Sequence, residues 1–186
     1  GVRIAVFFEK LAMDQIGAVT LTLFVSWAII EELLKYFAAI ISGLRSKYFD
    51  EPIDAVMYLI SAALGFAALE NVFFIFSSIV DGGFADALMT GQLRFVGASL
   101  LPIATSALVG FSIAFGLCEP RWKKWMYHAV GLLTAISLHT IFNYLIMISD
   151  GKYLLKVFAL LWGIIIAIII LFEKIKRSQC KIVESL

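Results

Sequence analysis

Five long apolar stretches dominate this sequence and limit the folds that it can adopt. A helix needs roughly 20 mostly apolar residues to cross a bilayer, and these continuous runs differ from the alternating pattern of a membrane β-barrel strand. Of the 186 residues 62% are hydrophobic, and the net charge of +1 offers no basic surface for nucleic acid. We therefore predict an all-α polytopic membrane protein, a bundle of about five transmembrane helices with a polar intramembrane site, over residues 17–43, 53–80, 95–117, 126–148 and 153–172.

Charged residues between the runs predict the orientation of the bundle. Basic residues cluster after the first run, before the fourth and after the fifth, so the positive-inside rule makes these segments cytoplasmic. We predict one transmembrane domain over 1–186 in a bacterial or archaeal cell membrane, with an interfacial segment at 1–16 and a cytoplasmic tail at 173–186. Because Cys118 and Cys180 adjoin basic segments, no structural disulfide is expected. The chain begins at Gly1 without signal-peptide features, and we expect further spans to precede it.

Polar side chains inside the spans are few, and each is costly in a bilayer. On a helical rise of 1.5 Å per residue, Glu31, Glu70 and His139 lie roughly 21 to 24 Å from the cytoplasmic ends of their spans. Ser106 lies at the same depth on the third span. A shared site in the bundle interior requires such agreement, whereas scattered structural residues do not.

The spacing of these residues along their helices is also informative. Glu31 and Lys35 are four residues apart and share a face, so Lys35 is expected to neutralise a carboxylate. His139 and Asn143 are also four apart and point in one direction. Taken singly, each residue has a structural explanation: an ion pair, a satisfied core histidine, or interhelical hydrogen bonds from Asn143 and Asn71. The combination at one depth favours a functional site.

Two chemistries suit glutamate and histidine in a dry cavity. In the first, a carboxylate acts as general base on water, an imidazole positions that water, and an amide stabilises the oxyanion. In the second, the same side chains hold a divalent metal such as zinc, which activates its bound water. The residues leave this choice open, with Glu31, Glu70 and His139 as candidate metal ligands.

Three motifs, in order along the chain, resemble the PrsW family of intramembrane proteases, within the wider clan of CAAX prenyl proteases and bacteriocin-processing enzymes. They are E-E-L-L-K at 31–35, F-x-x-x-E-N at 66–71 and H-T-I-F-N at 139–143. The resemblance implies peptide-bond hydrolysis in or near the bilayer, with a membrane-anchored protein as substrate, such as an anti-sigma factor of stress signalling. The residues that it implies are catalytic Glu31, Glu32, Glu70 and His139, with Asn143 as an oxyanion candidate from the wider clan. We add Lys35, Asn71 and Ser106 as supporting residues, from their positions in the spans.

One position departs from the family. The family usually carries another histidine on the span before the last motif, where this chain has Pro102, Thr105 or Ser106. A natural one-histidine variant, an inactive relative and an alignment offset remain open explanations.

Our leading hypothesis for the function is an endopeptidase with Glu31 as the base. The alternative is a catalytically inactive pseudoprotease that binds a membrane partner. An ion or proton carrier ranks last because the sequence shows no internal repeat.

Overall fold

The computed structural model describes residues 21–85, 88, 99–148 and 154–176. Their secondary structure is helical, which confirms the predicted all-α fold of five helices. The predicted interfacial segment 1–16 and residues 177–186 of the predicted tail lie outside the described residues. The helices are α1 (Leu21–Ala39), continued by a π-helical segment (Ile40–Leu44), α2 (Pro52–Gly82), α3 (Leu100–Gly116), α4 (Arg121–Ile148) and α5 (Leu154–Lys176).

The bounds of α2 follow from local chemistry. The Asp54 carboxylate accepts a hydrogen bond from the backbone N–H of Glu51, and Pro52 occupies the first helical turn, where its missing N–H is harmless. At the other end Gly83 adopts a φ of 86°, a conformation that favours glycine. The helix therefore starts and stops at residues that suit its termini.

Within the described residues, three helices are long and apolar enough to cross a membrane: Pro52–Val80, Arg121–Ile146 and Leu155–Lys176. α1 is different because its 19 residues include Glu31, Glu32 and Lys35. α3 has only 17 residues, of which 12 are buried, so it forms the centre of the bundle between its neighbours. The two helices that differ from ordinary membrane spans are therefore α1, which carries the charged residues, and α3, which the other helices enclose.

Neighbouring helices run antiparallel, as their contacts show. Gly110 on α3 lies against the backbone of Val56 near the start of α2, while Asn71 further along α2 bonds to Ser99 before α3. α1 and α4 pair in the same way. Phe24 contacts Tyr144 at one end of this pair, and Tyr36 bonds to His128 at the other, with 2.6 Å between Oη and Nδ1.

This up-and-down arrangement places the basic segments at one end of the bundle, as the charge pattern predicts. Which side of the membrane that end faces stays a prediction. The expectation about cysteines is wrong for Cys118, which is disulfide-bonded in the structure. The expectation came from charge alone, which predicts a compartment and carries no information on contacts between side chains.

Candidate functional site

The three charges of α1 lie inside the bundle. Glu31, Glu32 and Lys35 are 9%, 2% and 1% exposed. Lys35 Nζ donates to Glu32 Oε1 at 2.6 Å, so the carboxylate that Lys35 neutralises is Glu32 rather than Glu31, contrary to the i,i+4 reasoning. The spacing of three residues also brings helical side chains together. Glu31 is left as the more accessible carboxylate.

His139 extends from α4 between these two carboxylates. Its Nδ1 lies 2.7 Å from Glu32 Oε1, and its Nε2 lies 3.5 Å from Glu31 Oε2. A carboxylate accepts hydrogen bonds, so the contact with Glu32 requires a proton on Nδ1. In the neutral ring Nε2 is then an acceptor, and it faces a second acceptor in Glu31. A proton shared by these two atoms satisfies the hydrogen bonding of both, as does a water or a cation that contacts both from one side.

α3 contributes Thr105, which completes the cluster on the side of Lys35. Lys35 Nζ donates to Thr105 Oγ1 at 3.2 Å, and this hydroxyl donates to the Pro102 carbonyl at 3.1 Å. Of the three residues considered at this place, Thr105 is the one in contact with the charged side chains. Sequence reasoning chose its neighbour Ser106, because depth along a helix gives no information on which way a side chain points.

α2 closes the cluster with an aromatic ring. Lys35 Nζ lies 5.9 Å from the centroid of Phe66, which packs against Ile30 and Leu34. Glu70 lies one turn further along the same face of α2 and is partly exposed. The structure therefore places Glu70 beside the cluster and not within the hydrogen bonds that hold His139.

The two asparagines differ in what they contact. Asn71 donates to Ser99 Oγ at 2.9 Å, a bond between α2 and the start of α3 that matches the structural explanation offered for it. Asn143 lies one turn beyond His139 on α4 and is partly exposed. Its neighbour Tyr144 contacts Phe24 of α1.

Three buried polar atoms around the cluster have no hydrogen-bond partner: Trp27 Nε1, Ser106 Oγ and Thr140 Oγ1. Ser106 follows Thr105, and Thr140 follows His139. Trp27 lies one turn before Glu31. Nothing in the sequence predicts such orphan atoms, since they appear only when side chains are packed. Buried polar groups are nearly always paired, so each of these has to be explained.

The donor set does not by itself fit a catalytic zinc site. Such a site uses three protein ligands and one water. Among the described residues, no three His, Cys, Asp or Glu side chains are arranged to hold a metal ion. Glu31 Oε2 and His139 Nε2 face one another, but Glu32 Oε1 is already bonded to Lys35 and His139 Nδ1.

Known proteins provide an independent assignment. The family model described as "PrsW family intramembrane metalloprotease" matches residues 2–172. Protease PrsW of Bacillus subtilis is 29% identical over 147 residues, 75% of this chain and 61% of that protein. Protease PrsW of Geobacillus kaustophilus is 31% identical over 146 residues, 75% and 60% of the two chains. Protease PrsW of Clostridioides difficile is 31% identical over 133 residues, 68% and 52%. No solved structure gives a significant match.

The match extends over most of this chain but not over most of its relatives. The chain spans about half to three fifths of the length of the curated relatives described above. These relatives are bacterial, and together with the apolar helices they support an integral membrane protein of a bacterial cell. By the extent of the family match, the chain belongs to the PrsW family of intramembrane metalloproteases.

Proposed function

We propose that this protein is an intramembrane endopeptidase that hydrolyses peptide bonds of membrane-anchored proteins. One observation carries the proposal: both ring nitrogens of His139 face adjacent carboxylates, Glu31 and Glu32, in the bundle interior. A structural ion pair needs one carboxylate for one cation, and Lys35 already supplies that cation to Glu32. The proposal assigns the chemistry to the second carboxylate, Glu31, and to the second ring nitrogen, Nε2.

We place a nucleophilic water beside the contact between Glu31 Oε2 and His139 Nε2, because 3.5 Å leaves no room for a water between the two atoms. A water there donates one hydrogen bond to Glu31 Oε2 and the other to His139 Nε2. Glu31 removes a proton from the water, and the water oxygen attacks the carbonyl carbon of the peptide bond. Glu31 then returns that proton to the amide nitrogen, the C–N bond breaks, and a carboxylic acid and an amine leave. No step of this route passes through a metal ion.

The remaining residues of the cluster hold this pair in place. Glu32 fixes the proton of His139 on Nδ1, which keeps Nε2 directed at Glu31. Lys35 offsets the charge of Glu32, and Thr105 holds the ammonium group from α3. Such supporting contacts fix the geometry of reacting groups. Thr105, in this proposal, serves the charge network and does not replace a histidine ligand.

Residues one turn away from the cluster have more peripheral roles. Asn143, one turn beyond His139, is proposed to donate to the oxyanion that develops on the substrate carbonyl. Glu70, one turn beyond Phe66, is proposed to contribute negative charge beside the cluster. Asn71 and Ser106 support the packing of α2 and α3. A divalent metal such as zinc, with Glu31 and His139 among its ligands, would need a further ligand from outside the described residues.

The substrate is proposed from family membership and from the location of the site. Catalytic groups inside a helical bundle reach a polypeptide that lies in or beside the membrane, so a membrane-anchored protein is the fitting substrate class. An anti-sigma-factor type of regulatory substrate follows from the family resemblance alone. In the partner-binding alternative the same residues hold a membrane protein, and that protein is not cleaved.

Reconstituted protein tests the proposal. The chain is placed in liposomes with a panel of single-span membrane proteins that carry a fluorescent tag, and the release of tagged fragments is measured. We expect cleavage by the unmodified chain and at least a 100-fold loss in Glu31→Gln and His139→Ala. Glu119→Gln is the matched control, because Glu119 pairs with Lys123 on the surface. Equal turnover in all variants would exclude the assignment, and capture of a panel member without cleavage would favour the partner-binding alternative.

A further inference from the structure

The indole N–H of Trp27 suggests a further contact with the substrate, made by a residue outside the sequence motifs. We propose that Trp27 Nε1–H donates a hydrogen bond to the carbonyl oxygen of the scissile peptide, as a second donor beside Asn143. The proposal rests on the proposed function, since it names a further residue for the same reaction. It concerns a residue outside all three motifs.

The first observation is an unpaired donor. Trp27 Nε1 is buried and has no hydrogen-bond partner, although the residue as a whole is partly exposed. An indole nitrogen can only donate, and its rigid ring cannot turn back to the carbonyls of its own helix. The hydroxyls of Ser106 and Thr140 are also unpaired, but each can rotate towards the carbonyl four residues earlier. Trp27 is therefore the orphan that needs an external acceptor.

The second observation is its place beside the reacting groups. Trp27 and Glu31 are four residues apart on α1, so they lie on one face with an offset of roughly 40° and 6 Å. Phe24 contacts Trp27 at 5.7 Å and Tyr144 at 6.1 Å between ring centroids. This turn of α1 is thus level with the turn of α4 that carries Asn143. Trp27 and Asn143 thus place one donor-bearing side chain on each helix, one turn away from Glu31 and His139 respectively.

The location also argues against an ordinary interfacial tryptophan. Tryptophan in the aromatic belt of a membrane protein directs its N–H to the headgroups. The exposed Trp122 and Trp125 at the start of α4, each 66% exposed, suit that role. Trp27 instead has its ring edge shielded within the same turns as the cluster. A donor that is dry before substrate binds is also preorganised for a charge that develops during the reaction.

An analogue of tryptophan without the N–H isolates this contact. Trp27 is replaced with 3-benzothienylalanine by nonsense suppression, which preserves ring size while removing the donor. We expect kcat to fall by roughly 100-fold, the typical effect of one oxyanion donor, with KM within about twofold and an unchanged melting temperature. The same replacement at Trp162, which is 49% exposed on α5, is the matched control and should leave all three quantities unchanged.

The outcomes separate this inference from the function on which it rests. Full activity of the Trp27 analogue, with Glu31→Gln inactive, overturns the role of Trp27 and leaves the proposed function intact. Full activity of both overturns the proposed function. A lower melting temperature with unchanged kcat shows that Trp27 is structural and also overturns the inference.

Discussion

Glu31 and Glu32 are adjacent in the sequence but occupy different environments. One residue step along a helix turns the side chain by about 100°. Glu32 Oε1 consequently accepts from both Lys35 and His139, while Glu31 Oε2 faces His139 Nε2. Glu32, which two hydrogen bonds hold in place, is suited to a supporting role. Glu31, which is more exposed, is suited to react with substrate.

The Glu32–Lys35 pair should be strongly coupled. Removing one member leaves a buried charge, so Lys35→Met or Glu32→Gln alone should lower the free energy of unfolding by about 3–5 kcal/mol. The double variant should lose clearly less than the sum of the two. Thermal or denaturant unfolding in detergent micelles measures all three.

A surface pair provides the control for that cycle. Glu119 and Lys123 are joined at 2.8 Å, but their side chains are 34% and 38% exposed. Their single variants should cost less than about 1 kcal/mol. Equal losses of unfolding free energy at the two pairs would show that burial does not determine how much the charges of α1 contribute to stability.

Two adjacent residues of α3 offer a sharper comparison. Thr105→Val removes an acceptor of Lys35 and should lower stability by about 1–2 kcal/mol. Ser106→Ala removes a buried hydroxyl that has no partner, so stability should be unchanged or higher. Unfolding of the two variants under the same detergent conditions tests this order, and the reverse order would remove Thr105 from the cluster.

Part of the site was predictable from the residues, and part was not. Counting along helices gave a common depth for Glu31 and His139, and the structure has these side chains facing one another. The remaining contacts depend on how each helix is rotated about its own axis, which determines the side chains that face the cluster. The choice between Glu31 and Glu32 for Lys35, and between Thr105 and Ser106 on α3, depends on contacts between helices that spacing within one helix does not determine.

At the scale of helices, the approach of α2 and α3 depends on a glycine. A Cβ added at Gly110 would lie 2.6 Å from Val56 Cα, and backbone atoms cannot move aside as a flexible side chain can. Gly110→Ala should therefore separate the helices and cost about 1–3 kcal/mol. Because Asn71 and Phe66 are carried by α2, we expect activity to fall as well.

Gly65 on the same helix α2 is the matched control. A Cβ at this position meets nothing within 4 Å. Gly65→Ala should be neutral or raise stability by up to about 1 kcal/mol, since alanine favours the helix. Melting temperatures in micelles compare the two variants, and equal behaviour would show that the contact between α2 and α3 tolerates a methyl group.

Helix positions were predictable because hydropathy follows the bilayer, while helix ends were less so. α4 begins at Arg121, five residues before the predicted apolar span, since charged and aromatic residues extend a helix past the hydrocarbon. The π-helical segment Ile40–Leu44 had no signal in the sequence. Gly43 in that segment lies against the ring of Tyr58 on α2, a contact between helices that a single span does not reveal.

For the whole molecule, the bilayer made the fold class predictable. Only helices and closed barrels satisfy their backbone groups in lipid, so long apolar runs leave few choices. The arrangement of helices around α3 was not predictable, because apolar side chains that face lipid and those that face another helix look alike in a sequence. Leu155 is 85% exposed and Leu161 1% exposed on the same helix α5.

Metal dependence is also decided by the whole bundle, since the donors come from different helices. α1 and α4 bring Glu31 Oε2 and His139 Nε2 together, but the described residues provide no third ligand, and Lys35 already occupies Glu32 with its positive charge. We therefore expect purified protein to hold well under one zinc per chain by elemental analysis, and cleavage to persist in 1,10-phenanthroline. Glu31→Gln, which removes the proposed base, should be inactive with or without added zinc. Stoichiometric zinc whose removal abolishes cleavage, with recovery on re-addition, would contradict the water-activation route and require a further ligand from outside the described segments.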